Sequence, residues 1–236
     1  MWGSVGLALS LGVFTLWPEL DVVVTHYFFE ASSQSFPANQ SGIVQAVYVA
    51  TPWLGRALYV ATPWLGRALF VVCCLGWLVL KIWSRPNALS WRRRMLAWLI
   101  MAVVGLGLVV DWGLKDHVGR PRPEQLQIFG HSKPFVPAFE LSTHCDVNCG
   151  FVSGHAAAGF SLMTWGIWSA WPRRKRWLVI GTAAGLFIGG IRIVQGGHFL
   201  SDVIFSGWAV WLTYILMRQA WLWLRLQGFK RRSSMA

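Results

Sequence analysis

Six apolar stretches, at about 2–17, 64–83, 95–114, 151–171, 177–194 and 203–224, constrain this chain before any motif does. Each is close to the roughly 20 residues a helix needs to cross a bilayer. They predict an all-α, polytopic membrane protein with six transmembrane helices. The first stretch lacks a basic start and a small-residue cleavage site, so it reads as a span rather than a signal peptide. Composition agrees: 55% of residues are hydrophobic and 13% charged, against about 25% charged in an ordinary soluble domain. The whole chain, 1–236, reads as a single domain, with its chemistry-bearing core at about 95–220.

The placement of charge sets the topology. Lys81, Arg85, Arg92, Arg93 and Arg94 lie between the second and third stretches. Arg173, Arg174, Lys175 and Arg176 lie between the fourth and fifth, and Arg225, Lys230, Arg231 and Arg232 follow the sixth. These segments carry no acid, whereas Glu19, Asp21, Glu30, Asp111, Asp116, Glu124, Glu140, Asp146 and Asp202 fall in the other loops or at the span ends facing them. Lys and Arg collect on the cytoplasmic side of a membrane. Both termini are therefore expected in the cytoplasm, with the loops near 18–63, 115–150 and 195–202 facing outward. The net charge of +12 then reads as topology anchors touching anionic lipid, not as a nucleic-acid surface. Trp17, Trp83, Trp112, Trp171, Trp177, Trp221 and Trp223 lie near span ends, where amphipathic rings sit at headgroup level.

Residues 48–58 recur unchanged as 59–69. Eleven residues is close to three helical turns, so the copy keeps nearly the same face, while Pro52 and Pro63 discourage a continuous helix. Segment 43–69 is read as interfacial, with Arg56 and Arg67 near the surface, and the repeat as a duplication without function. The largest outward loop, about 115–150, carries Cys145 and Cys149. An oxidising outer compartment suits a disulfide between them; a zinc site with the adjacent His144 is the rival, with too few ligands to argue for it. Cys73 and Cys74 read as packing residues.

Ionisable groups at membrane depth are costly and are functional candidates by default. Three clusters qualify: Lys115 to Pro123; Ser153, Gly154 and His155; and Arg192, His198 and Asp202. Charge bias alone places all three on the outward side. Lys115, Arg122 and Arg192 supply cations, and arginine forks match phosphate oxygens. Ser153 and Gly154 open a helix whose free N–H groups suit an anion. His198 and Asp202, four apart, share a face if helical, so the carboxylate could hold one imidazole nitrogen and leave the other to attack. His155 is available to protonate a leaving oxygen. Taken singly, a cation or a histidine at a span end reads better as an anchor or an interfacial residue.

The spacing resembles that of the type 2 phosphatidic acid phosphatase family, whose fold and site are similar to those of vanadium haloperoxidases. The family pattern is Lys-x6-Arg-Pro, then Pro-Ser-Gly-His, then Ser-Arg-x5-His-x3-Asp. It is met by Lys115, Arg122 and Pro123; by Ser153, Gly154 and His155; and by Arg192, His198 and Asp202. The resemblance implies catalysis by His198, His155 and Asp202: His198 attacks phosphorus to give a phosphohistidine, Asp202 orients it, and His155 protonates the departing oxygen and then activates water. Lys115, Arg122, Arg192, Ser153 and Gly154 would bind the phosphate. It implies no metal and no cofactor, and it gives Asp116, His117 and Arg120 no fixed role. Val152 stands where the family usually has Pro, and Ile191 where it usually has Ser; the second change implies one hydrogen bond fewer to phosphate.

The implied partner is a phosphorylated membrane lipid within the lipid bilayer, with no nucleic acid. The fragment Asn148 to His155 is similar to the second motif of bacterial members that include lipid A phosphatases, which implies a bacterial inner-membrane enzyme with a periplasmic active site. Undecaprenyl diphosphate, phosphatidylglycerophosphate and phosphatidic acid stay open as substrates. A lipid phosphotransferase using the same intermediate is an alternative. An anion or lipid transporter fits less well, since no related halves with broken midplane helices are visible.

Overall fold

A computed structural model describes residues 2–41, Leu78, 88–146 and 148–233. The repeat at 48–69 and, apart from Leu78, the second apolar stretch lie outside the described residues. Helix α1 (Trp2–Leu16) ends before Trp17 and Pro18, and α2 (Leu20–His26) leaves it at 83°. Proline lacks the N–H that would continue the α1 ladder. Helix α3 (Ala88–Ile100) runs on in wider π-helical winding through Met101–Lys115. A single turn, Asp116–Val118, closes on Gly119 at φ +64°, where a β-carbon would collide with the Ser142 carbonyl. The loop 119–153 follows, with short 3-10 turns at Pro123–Gln125 and Gln127–Phe129. Then come α4 (Gly154–Phe160), a 3-10 segment (Ser161–Gly166), α5 (Trp171–Val194) and α6 (Leu200–Ser233). All regular elements among the described residues are helical, as a bilayer requires of a chain that cannot close a barrel.

Ser90–Lys115, Trp171–Val194 and Leu200–Gln227 are long and apolar enough to cross a membrane, and the bent pair α1–α2 makes a fourth if taken as one span. Together with its apolar composition this makes the protein integral to a membrane. The fourth apolar stretch, 151–171, is not one continuous α-helix as expected. Ser161 Oγ and Thr164 Oγ1 each donate to the carbonyl three residues back, at 2.6 Å, and the chain tightens into 3-10 winding before breaking at Ala170. The basic run Arg173–Arg176, expected in a connecting loop, forms the first turns of α5, where Pro172 suits a helix start.

Helices α4, α5 and α6 pack through small residues. Gly181, Gly185 and Gly189 form the buried face of α5. A β-carbon on Gly185 would lie 2.3 Å from the Phe160 ring, and one on Gly159 would lie 2.8 Å from the Gly185 Cα. Such residues let backbones approach within a membrane, where apolar burial no longer favours one helix partner over lipid. Helix α1 lies along α6, with Phe14 edge-on to Phe205 and Trp208 Nε1 donating to Ser10 Oγ at 3.1 Å. Over the loop end, Phe36, Leu126, Phe129 and Phe199 form a second apolar cluster.

Candidate active site

The end of the π-helical winding at Lys115, the C-terminal end of α5 and the N-terminal ends of α4 and α6 meet at one end of the bundle. The basic residues Arg92–Arg94 and Arg173–Arg176 begin α3 and α5 at the other. The juxtaposition is fixed by backbone: Ser153 N–H donates to the Asp202 carbonyl at 3.1 Å. Ser206 Oγ lies 2.8 Å from the Ser153 carbonyl and 2.6 Å from that of Asp202. The second and third clusters are thus tied together directly.

His198 lies in the turn between α5 and α6 and is 1% exposed. Its backbone N–H and that of Gly197 both return to the Arg192 carbonyl, at 3.3 and 2.9 Å. Its Nδ1 donates to the Gly150 carbonyl at 2.9 Å. A carbonyl only accepts, so Nδ1 carries the proton and Nε2 keeps its lone pair. The Asp202 carboxylate is 3.6 Å from Nδ1. It is engaged elsewhere: Oδ2 accepts Phe199 N–H at 2.8 Å and Oδ1 accepts Arg120 Nη1 at 2.7 Å. Asp202 therefore stands beside the His198 ring, while the nearest acceptor is Gly150.

The expected cations are all at this ring. Burial, then the charges of Arg192, Arg122 and Lys115, push the His198 imidazole well below its ordinary range, against the opposing pull of the Gly150 carbonyl. The ring is thus neutral at neutral pH. Arg192, Lys115 and Arg122 also act on His155, as does His198, so the two imidazoles lie under the influence of the same cations. Arg192 is buried and donates from Nη1 to Gln195 Oε1 at 2.7 Å. Arg122 is partly exposed, with Nε and Nη2 on the Asn148 carbonyl at 3.2 and 3.0 Å. A β-carbon on Gly154 would be 3.9 Å from Lys115 Nζ and 3.5 Å from Asp111 Oδ1, which puts Lys115 over the start of α4. Ser153 is more committed than its spacing suggests: its N–H is taken by Asp202, and its Oγ accepts from Ala156 N–H at 3.4 Å as the helix cap. The first N–H groups of a helix have no intrahelical acceptor, which leaves those of Gly154 and His155 for an anion.

Cys145 and Cys149 are joined as a disulfide, with a Cα–Cα separation of 5.7 Å. The bridge ends one residue before Gly150. Three participants escaped the sequence reading. Gly150 lies within the fragment Asn148 to His155, where the spacing gives it no role. Arg120 and Asp21 are almost wholly buried and bonded to each other at 2.8 Å; nothing in their spacing indicates this partnership across 99 residues.

All the residues expected to carry chemistry lie within 95–225, the segment matched by the PAP2 superfamily profile. The chain belongs to the PAP2 superfamily. This PAP2 protein is 33% identical over 211 residues to a lipid A 4'-phosphatase of Francisella tularensis subsp. novicida (strain U112), covering 86% of the present chain and 89% of that protein. It is 28% identical over 217 residues to a lipid A 4'-phosphatase of Rhizobium etli, covering 84% and 77%. A lipid A 1-phosphatase of Rhizobium etli is 31% identical over 140 residues, about half of each chain (55% and 53%). No solved structure matches. As a PAP2 member the protein is a hydrolase acting on phosphoric esters of lipids.

Proposed function

We propose that this PAP2 enzyme removes the 4'-phosphate of lipid A at the periplasmic face of a bacterial inner membrane, through a phosphohistidine on His198. The observation that carries the chemistry is a buried imidazole whose Nδ1 is bonded to the Gly150 carbonyl, leaving Nε2 its lone pair, under the positive charge of Arg192, Arg122 and Lys115. Phosphoryl transfer is mostly positioning and charge stabilisation, and this pocket supplies both. His198 Nε2 attacks phosphorus as the bond to the lipid oxygen breaks. His155, protonated once the phosphate dianion offsets the cations, gives its proton to that oxygen. Water then attacks the phosphohistidine, His155 takes a proton from it, and inorganic phosphate leaves. Asp202 stabilises the positive charge that develops on His198. Lys115, Arg122, Arg192, Ser153 through its hydroxyl and the Gly154 N–H hold the phosphate oxygens.

The substrate reading rests on the relatives that match most of the chain, whose names specify the 4'-phosphate of lipid A. The outward orientation, with six spans and both termini cytoplasmic, rests on charge: the basic runs mark the opposite end of the helices from the site. At headgroup depth a lipid phosphate reaches the pocket from within the bilayer.

The test is phosphate release by detergent-solubilised protein from lipid A, undecaprenyl diphosphate, phosphatidylglycerophosphate and phosphatidic acid. Lipid A is expected to be hydrolysed fastest, equally with and without EDTA, and millimolar vanadate should inhibit by mimicking pentacoordinate phosphorus. Preference for another lipid would overturn the substrate. Complete loss in EDTA would overturn the metal-free route, and phosphate appearing on a second lipid rather than in solution would make the enzyme a transferase.

A further inference from the structure

We propose that Asp21 and Arg120 are positioning residues for the reaction, forming with Asp202 a buried carboxylate–guanidinium–carboxylate clamp that holds both neighbours of the His198 Nδ1. This rests on His198 being the nucleophile.

Arg120 is fully buried. Its Nη1 donates to Asp202 Oδ1 at 2.7 Å and Ser201 Oγ at 2.8 Å, its Nη2 to Asp21 Oδ2 at 2.8 Å, and its Nε to the Val136 carbonyl at 2.8 Å. Guanidinium carries five N–H donors in a fixed fork, so these bonds use most of its capacity and leave it no role on phosphate. The Phe199 ring covers it, with the guanidinium carbon 4.1 Å from the ring centre. The same residue acts a second time through its backbone: Gly150 N–H donates to the Arg120 carbonyl at 2.7 Å. The His198 Nδ1 stands between the Gly150 carbonyl and the Asp202 carboxylate. Arg120 grips one by its main chain and the other by its side chain.

Asp21 completes the clamp from α2. Its Oδ1 accepts Ser201 N–H at 2.9 Å, satisfying a donor in the first turn of α6, and its Oδ2 accepts the Ser201 hydroxyl as well as Arg120. It lies outside the segment matched by the family profile. On this reading the bend after α1 is more than an anchor. It delivers a carboxylate that sets Arg120, and Arg120 sets the imidazole.

The experiment compares kcat, KM and melting temperature for wild type, Asp21→Asn, Ser201→Ala, the double variant and His198→Ala, using phosphate release from the best lipid. Asparagine keeps the shape but turns a donor toward one of its donor partners. Asp21→Asn should lower kcat about 10–100-fold, the size of effect when hydrogen-bond partners behind a reactive group are removed, with KM within about threefold because phosphate contacts survive. The double variant should fall no more than about twofold below Asp21→Asn, since one network is being broken twice. Should Asp21→Asn fail to fold, Ser201→Ala carries the test with an expected fall of about 3–10-fold at unchanged KM. A lowered melting temperature with kcat per folded molecule unchanged would make the clamp merely structural and overturn the proposal, as would a rise in KM alone. Full activity in His198→Ala would instead remove the nucleophile reading, and this inference with it.

Discussion

The His198 Nδ1 donates to the Gly150 carbonyl at 2.9 Å, while the Asp202 carboxylate four residues along stands at 3.6 Å. The tautomer that leaves Nε2 free is therefore held by main chain, and the carboxylate contributes charge. A carbonyl cannot be titrated, so the bond to Gly150 does not itself depend on the charge of Asp202.

Replacing the two residues should accordingly have unequal effects. His198→Ala removes the proposed nucleophile and should reduce kcat by at least about 10⁴-fold. Asp202→Asn leaves the Gly150 bond and should cost about 10²-fold in kcat, together with about 3–5 kcal/mol of stability from the broken buried pair with Arg120. Steady-state kinetics and thermal melting separate the two. Equal inactivity in both would return the orienting role to Asp202.

The depressed His198 value gives stability a definite slope with pH. The ring is neutral when folded but protonates near its ordinary value of about 6.5 when unfolded. In acid the unfolded chain binds the extra proton, so stability rises with pH. His198 contributes fully above its unfolded value, and the contribution is lost as pH falls toward the native one. Melting temperatures measured between pH 8 and pH 5 should thus fall more steeply for wild type than for His198→Gln. Parallel curves would show that the ring is not held neutral.

The bridge between Cys145 and Cys149 closes a short loop next to Gly150. For so short a loop the stabilisation is about 2 kcal/mol, and at this chain length each kcal/mol moves the melting temperature roughly 2–4 °C. Dithiothreitol should lower it by roughly 4–8 °C in wild type and leave Cys145→Ser/Cys149→Ser unmoved. Because Gly150 orients His198, kcat should fall a few-fold on reduction as well. An unchanged melting curve would show that the thiols are not bridged.

The helix contacts predict a contrast within α5. A β-carbon at Gly185 meets the Phe160 ring at 2.3 Å, whereas one at Gly190 meets nothing within 4 Å. Gly185→Ala should destabilise by about 1–3 kcal/mol through forced displacement of Phe160. Gly190→Ala should be neutral or gain up to about 1 kcal/mol from helix propensity. Thermal melting in detergent checks both, and comparable losses at the two positions would show that α5 does not present this face to α4.

Much of the site could be read along the chain. The cation and histidine positions follow from ordered spacing, because motifs at helix ends bring fixed offsets to fixed places. Basic runs likewise mark one end of the helices without any knowledge of packing. Element bounds were less legible at 151–171, where mean apolarity predicts a continuous span and the Ser161 and Thr164 hydroxyls instead accompany a tighter winding. Apolarity reports burial, not the local competition for carbonyls.

The chain by itself determined that long apolar helices carry these residues, that cations and two histidines stand at their ends, and which end is poor in basic residues. Those properties are local: length, composition and offset. Only the tertiary structure decided that Gly150 rather than Asp202 makes the close bond to His198, that the Ser153 N–H is spent on Asp202, and that Asp21 and Arg120 are bonded in series behind Asp202. Each of these joins segments remote in sequence through buried polar groups. Such groups must find partners wherever the packed backbones place them, and that placement has no signature in the order of the residues.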